Sequence, residues 1–130
     1  MEVMSYEKKS KELTMIPKYE FYMEYMLEII LFHLPRTEKF SIGTEFKSVM
    51  YDTFKNIMYI EKANVKERLI YLNRIDAGLN VQRALLRIMK RNKWIDEKKF
   101  EYVMNTLIRQ LGAILGGLIK YYAKNNQKCI

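Results

Sequence analysis

The stretch of sequence that decides the fold runs from Ile75 to Trp94 and reads IDAGLNVQRALLRIMKRNKW. Its apolar residues recur at the three- and four-residue spacing of an amphipathic helix, so one side of the helix would face a core. Another side carries cations alone, because no carboxylate lies between Arg83 and Lys93. The predicted core side comprises Leu72, Leu79, Leu86 and Met89. The cations that share one side, which we call the basic stripe, are Arg83, Arg87, Lys90 and Arg91.

The basic stripe has two interpretations, a solvated surface or a binding surface. Solvated helix faces usually place a carboxylate one turn from each cation, which stabilises the helix. The basic stripe has no such carboxylates within it, and this favours a polyanion or an acidic partner. Lys93 extends the positive charge beyond the stripe. The neighbouring Trp94 either caps the end of the fold or stacks on a base.

Length and composition indicate one folded domain. The chain has 130 residues, of which 49% are apolar, enough to bury a core without disulfides. Cys129 is the only cysteine, which excludes an internal disulfide. Residues 1–10 lack the apolar run of a signal peptide, and the longest apolar run, residues 19–34, is too short and too charged to span a bilayer. We therefore expect a cytoplasmic protein without a membrane partner.

Positive charge is concentrated in the second half of the chain. The formal net charge is +8. Residues 1–60 contain eight Lys or Arg against nine Asp or Glu, whereas residues 61–130 contain fifteen against six. A nucleic-acid contact is therefore expected in the second half.

Helical periodicity covers most of the chain, and two prolines bound its first helix. Residues 1–17 read as a polar arm closed by Pro17, which suits the entry to a helix. Pro35 ends that helix, because the residue before a proline avoids the α region. Helices are predicted at residues 18–34, 43–62, 65–92 and 97–124, followed by a tail over 125–130. Short connections make neighbours antiparallel, so the expected fold is all-α, an up-down-up-down four-helix bundle.

The last three helices each have a predicted inner stripe. In the second helix it comprises Phe46, Met50, Thr53 or Phe54, Ile57 and Ile60. In the third it comprises Val65, Leu69, Leu72, Leu79 and Leu86, and in the fourth Phe100, Met104, Leu107, Leu111, Ile114, Leu118 and Tyr121. Gly78 lies inside the third helix, where glycine costs stability, and indicates a close approach by another helix. Asp76 interrupts the inner side of this helix and is expected to pair with Arg74 or Arg109.

The first helix is apolar on almost every side. Its polar edge consists of Glu20, Glu24 and Glu28 at four-residue spacing. A helix of this kind must be covered on most sides, so we expect a second subunit to cover what the bundle leaves exposed. The acidic edge is then either solvated or opposite a basic stripe on the neighbouring subunit.

Catalysis, cofactors and metal ions are not indicated. His33 is the only histidine and has no Glu-x-x-His pattern for a di-metal site, and the three glutamates lack the converging ligands that hard metals need. Gly112, Gly116 and Gly117 lie within a helix instead of after a strand, so they do not form a phosphate-binding loop. Close packing of helices, within the bundle or between subunits, is the expected compensation for these glycines.

Three segments resemble a known family. The loop LPRTEKFSIG, residues 34–43, resembles that of bacterial four-helix-bundle proteins. The run Asp76-Ala77-Gly78-Leu79 followed by Arg83 and Arg87, together with LGAILGGLI at residues 111–119, resembles the accessory variability determinant (Avd) of diversity-generating retroelements. The similarity covers about residues 19–122. Wider relatives are proteins encoded in intervening sequences of 23S ribosomal RNA genes.

The resemblance to Avd implies an assembly and a function. Such proteins form ring-like homopentamers, bind the reverse transcriptase of the element and nucleic acid, both template RNA and DNA, and support mutagenic copying without chemistry of their own. Arg83 and Arg87 match positions where the family keeps basic residues, and Arg36 matches a basic position after the loop proline, with Lys39 beside it. The alternative is an intervening-sequence-type bundle with a structural or RNA-binding role and no transcriptase partner.

Overall fold

The computed structural model describes the backbone of residues 2–128 and the side-chain surroundings of residues 14–124. Over residues 2–128 the chain contains four long helices and no strand, which confirms the predicted all-α four-helix fold. The first long helix is Glu2–Tyr25 with a π-helical continuation, Met26–Leu31. A short helical turn, Arg36–Lys39, leads to the second, which is Ile42–Tyr59 with a 3₁₀ end, Ile60–Lys62. The third is Val65–Arg91, and the fourth comprises Glu97–Tyr102, a π-helical part Val103–Ile108, and Arg109–Lys128.

Neighbouring helices run antiparallel, and the fourth packs back against the first. At one end of the bundle the rings of Tyr25 and Tyr102 lie 5.1 Å apart. At the other end Arg68 donates a hydrogen bond of 3.0 Å to the hydroxyl of Tyr122. The connection between the first two helices and the connection between the last two therefore lie at the same end.

The first helix begins earlier than the sequence predicts. It passes through Pro17 and extends back to Glu2, so the expectation of an arm over residues 1–17 is wrong. Pro17 cannot donate a hydrogen bond to the turn before it, which normally weakens a helix. Met15 and Tyr19, on either side of the proline, are both buried in the core, and this packing stabilises the helix across Pro17. The fourth helix also continues beyond the predicted end at 124, to Lys128, while Cys129 lies outside the described residues.

The inner stripe of the fourth helix differs from the prediction at four places. Phe100, Met104, Ile114 and Tyr121 were expected inside, but they are only half-buried. The buried residues are Val103, Leu107, Ile108, Leu111, Leu115, Leu118 and Tyr122. The π-helical part accounts for the changes after it, at Ile114 and Tyr121, because its wider turn rotates the residues that follow relative to a regular α-helix. In the third helix Val65 was expected in the seam but is 48% exposed.

A hydrogen-bonded polar network lies at the centre of the core. The hydroxyl of Tyr22 donates to Oε1 of Gln82 at 2.6 Å, and the amide nitrogen of Gln82 lies 3.2 Å from Oγ1 of Thr53 and 3.3 Å from the hydroxyl of Tyr19. Tyr19 in turn donates to the carbonyl oxygen of Met50 at 2.7 Å. Burial raises the pKa of both tyrosines well above the usual range, so they act as neutral donors. The network connects the first three helices.

Gly78 lies where the second and third helices approach each other. A Cβ at this position would collide with the side chain of Thr53. Thr53, not Phe54, is the fully buried residue of the second helix at this level. The missing side chain of Gly78 therefore permits the contact that brings Thr53 to Gln82.

The fourth helix passes a test for a membrane span by length and composition alone, over Glu97–Lys124. Its composition alone therefore does not exclude a span. In the bundle its leucines at positions 107, 111, 115 and 118 are buried against the other helices. A single helix of this kind is weak evidence for a span, because the core helix of a bundle can have the same length and composition.

Two glycine-to-alanine substitutions are predicted to have opposite effects on stability. Gly78→Ala should lower the free energy of unfolding by about 1–3 kcal/mol, because the new methyl group overpacks Thr53. Gly116→Ala is the matched control, since a Cβ there meets nothing within 4 Å. It should raise the free energy of unfolding by up to about 1 kcal/mol through helix propensity. Urea unfolding measures both, and a stabilising Gly78→Ala would contradict the proposed contact.

Candidate nucleic-acid interface

The third helix presents three different faces. Its core face comprises Leu72, Ile75, Leu79, Gln82, Leu86 and Met89, which recur at alternating three- and four-residue spacing. The basic stripe lies beside this face on the side of the fourth helix, where Arg83 reaches Gly112 and Lys90 reaches Phe100. Opposite the core lies an exposed apolar face, which the sequence analysis did not predict. Its large side chains are Ile70, Val81 and Ile88.

Arg83 lies at the inner edge of the basic stripe and is half-buried. Its Nη1 donates to Oδ1 of Asn80 at 2.7 Å. Its Nη2 lies 2.8 Å from the position that a Cβ on Gly112 would occupy. Gly112 thus makes room for a guanidinium group that lies across the boundary of the third and fourth helices. These contacts fix the Arg83 side chain, which is less exposed to solvent than the side chains of Arg87 and Arg91.

The other members of the basic stripe line a shallow groove of ≈ 360 Å³ with Phe100. The Nζ of Lys90 lies 4.8 Å from the centre of the Phe100 ring and 3.9 Å from Oε1 of Glu97. The pair with Glu97 is solvated and worth little. Arg87 and Arg91 are exposed, and within residues 14–124 neither has a carboxylate partner. Their charge is therefore available to a ligand.

Lys93 follows the third helix in a left-handed conformation, with φ of 61°. Its backbone N–H bonds to the carbonyl of Lys90, and that of Trp94 bonds to the carbonyl of Met89, both at 2.9 Å. This pair of bonds is the Schellman motif, whose left-handed position usually carries glycine. Here an exposed cation occupies it. Trp94 is half-buried and packs against the core, as expected of a residue that caps the bundle.

Arg36 and Lys39 lie in the connection between the first two helices, at the same end of the bundle as Lys93. Arg36 is exposed and begins the helical turn. The Nζ of Lys39 lies 4.7 Å from the centre of the Phe32 ring. Positive charge is therefore present both along the third helix and in both connections at this end.

The remaining predicted packing residues have different surroundings. Asp76 is half-buried and, within residues 14–124, forms no ion pair with Arg74 or Arg109, contrary to expectation. The guanidinium of Arg74 instead lies 5.4 Å from the centre of the Tyr71 ring. Gly116 and Gly117 are half-buried, and the space beside Gly116 is open. Packing within the bundle thus accounts for Gly78 and Gly112, and it does not account for Gly116.

Acidic and metal-ligating side chains are not gathered in the part of the chain that the structure describes. Glu20, Glu24 and Glu28 are all exposed along the first helix. The Nδ1 of His33, in the turn after the first helix, lies 2.8 Å from the carbonyl oxygen of Ile29 in the last part of that helix. No group of three or more His, Cys, Asp or Glu side chains that could hold a metal ion occurs among these residues.

Sequence comparison identifies one match. A family model described as bAvd-like matches residues 13–122. This range is most of the chain and includes the greater part of each of the four helices. No curated protein and no solved structure matches the chain.

Replacing Lys93 by glycine is predicted to stabilise the protein. Lys93→Gly should raise the free energy of unfolding by about 1 kcal/mol, because a left-handed backbone costs a residue with a Cβ roughly that much. Lys93→Ala is the matched control, since it removes the charge and keeps the Cβ. Chemical unfolding measures both variants. Equal stability of the glycine and alanine variants would contradict the assignment of strain to this position.

Proposed function

This chain belongs to the bAvd-like family, the accessory variability determinants of diversity-generating retroelements, and from this premise we propose that it binds the reverse transcriptase and template RNA of such an element through a basic surface. Members of this family are accessory proteins of retroelements and are generally non-catalytic. In the proposed role the protein contributes no chemistry and needs no cofactor. It acts in the cytoplasm, supporting mutagenic synthesis of cDNA by the transcriptase.

The observation that carries this proposal is the pair of exposed arginines, Arg87 and Arg91, in the groove that Lys90 and Phe100 complete. A guanidinium group presents several N–H donors in a plane and matches the geometry of phosphate oxygens. Neither arginine is neutralised by a carboxylate within residues 14–124, so binding of a phosphate breaks no ion pair. Phosphate contacts of this kind give affinity without base specificity.

Assembly of several copies into a ring would repeat the basic groove around the ring. Two exposed apolar surfaces are candidates for the contact between neighbouring copies. One is the apolar face of the third helix, where Ile70 and Val81 are 53% and 44% exposed. The other is a groove of ≈ 320 Å³ between the first and fourth helices, which includes Phe21, 53% exposed, and Tyr102. Because the two surfaces differ, a contact between them is heterologous, and a heterologous contact forms a ring when the rotation between successive copies closes.

Charge is complementary at the edge of the proposed contact, beside the groove that Lys18 also lines. Glu20, Glu24 and Glu28 lie on the first helix beside Phe21, whereas Arg74 lies on the third helix beside Ile70. We propose that these surfaces join copies of the chain into a homopentamer. Five copies would then present five basic stripes around one ring, and an RNA that contacts several stripes would bind with greater avidity than one stripe provides.

Reversing the charge of the exposed arginines is predicted to weaken RNA binding and to abolish binding of the reverse transcriptase. The double variant Arg87→Glu/Arg91→Glu removes two phosphate contacts, which should weaken RNA binding by at least roughly thirtyfold near 0.15 M salt. Co-purification with the element's reverse transcriptase should also be lost. The matched control is Lys47→Glu/Lys55→Glu, which changes the net charge equally at two exposed positions of the second helix. Retained binding by the arginine variant, with normal helicity, would contradict the proposed surface.

The heterologous contact is tested by two assembly variants. Val81→Glu and Phe21→Glu each place a charge in one of the two apolar surfaces, so each variant alone should be monomeric. A mixture of the two should form a dimer, because each variant keeps the surface that the other lacks. Light scattering after gel filtration measures these masses. A wild-type chain that is monomeric, or a mixture that does not associate, would contradict the ring.

A further inference from the structure

Two phenylalanines in the connection between the first and second helices have side chains that are largely exposed to solvent. Phe32 is 65% exposed and Phe40 is 78% exposed, more than any other large apolar side chain among the described residues. Burying a phenylalanine stabilises a fold by about 1.5–3 kcal/mol, and these two side chains provide little of that gain. Neither belongs to the groove beside Phe21 or to the apolar face of the third helix.

The connection that carries these side chains is held in one conformation. Leu34 is buried in the core and anchors its beginning. The backbone N–H groups of Glu38 and Lys39 donate to the carbonyl of Pro35 at 2.9 and 3.0 Å. A Cβ on Gly43 would lie 3.3 Å from the carbonyl oxygen of Glu38, so the second helix begins in close contact with this turn. The backbone that carries the two rings is therefore ordered before any ligand binds, which lowers the entropic cost of binding.

The surroundings of the two rings are cationic. The Nζ of Lys39 lies 4.7 Å from the centre of the Phe32 ring. Arg36, three residues before Lys39, is exposed. Glu38 is the one carboxylate between Phe32 and Ser41, and its Oε2 accepts a hydrogen bond of 3.3 Å from the Ser41 hydroxyl. Exposed aromatic rings beside lysine and arginine are the combination that binds single-stranded nucleic acid, since bases stack on the rings while cations contact the backbone.

We infer that Phe40 and Phe32 form a stacking platform for unpaired nucleobases, with Arg36 and Lys39 contacting the adjacent phosphates. This inference rests on the proposed role in nucleic-acid binding and defines its substrate as single-stranded. A duplex cannot use the platform, because its bases are already stacked on one another. An apolar protein partner is less well matched, because it would have to cover two cations together with the rings.

The inference is tested by the affinity of the full chain for a 12-nucleotide oligouridine and for an RNA duplex of equal length. Phe40→Leu and Phe32→Leu keep an apolar side chain and remove the ring, and each should weaken binding of oligouridine by about tenfold. Binding of the duplex should not change. Phe40→Trp should keep or increase affinity for oligouridine, and Tyr51→Leu, which removes an exposed aromatic ring from the second helix, is the matched control.

The salt dependence separates stacking from charge. Phe40→Leu should keep the slope of log affinity against log salt concentration, whereas Arg36→Gln should reduce its magnitude by about one. Wild-type affinity for oligouridine in both leucine variants would overturn the inference. A changed oligomeric mass in these variants, or loss of transcriptase binding with oligouridine binding intact, would overturn it in favour of a protein contact. The Arg87/Arg91 variant tests the basic surface separately, so failure of either proposal can be recognised.

Discussion

The structure depends on the buried amide of Gln82. This side chain is fully buried and reaches its partners on the first and second helices, Tyr22, Tyr19 and Thr53. A buried polar group without a partner costs about 1–3 kcal/mol, so any slip of the third helix would leave several groups unsatisfied at once. In residues 14–124 every buried side-chain nitrogen and oxygen has a partner. The apolar stripes bring the helices together, and the amide selects one register for them.

Fixing the register of the third helix also fixes the direction of its other faces. With Gln82 and Leu86 inside, Arg87 and Arg91 are directed to solvent and Arg83 is placed against Gly112. The same rotation exposes Val81 and Ile88 on the side opposite the core. One helix thus carries the packing surface, the candidate binding surface and a candidate assembly surface. Gly78 and Gly112 are the two positions where the absence of a side chain makes this arrangement possible.

Much of the fold could be predicted from the sequence, because apolar periodicity reports directly which residues face a core. It placed the second and third helices to within one residue at each end. It failed at Pro17, where tertiary packing outweighs a local helix breaker, and in the fourth helix, where a π-helical part shifts the inner face. Gln82 occupies an inner position at regular spacing between Leu79 and Leu86, but a polar residue does not contribute to apolar periodicity, so the periodicity does not report its burial. The half-burial of Arg83 depends on Gly112, 29 residues further along the chain, and no local pattern contains that information.

The central claim is that the basic stripe of the third helix binds nucleic acid through its phosphates, mainly by Arg87 and Arg91, which have no carboxylate partner within residues 14–124. The most direct measurement is the affinity of the wild-type protein for RNA as a function of salt concentration. If roughly five phosphates are engaged, log affinity should fall linearly with log salt concentration with a slope of about −4 to −5. An affinity that does not change with salt, or no measurable binding at low salt, would contradict the claim.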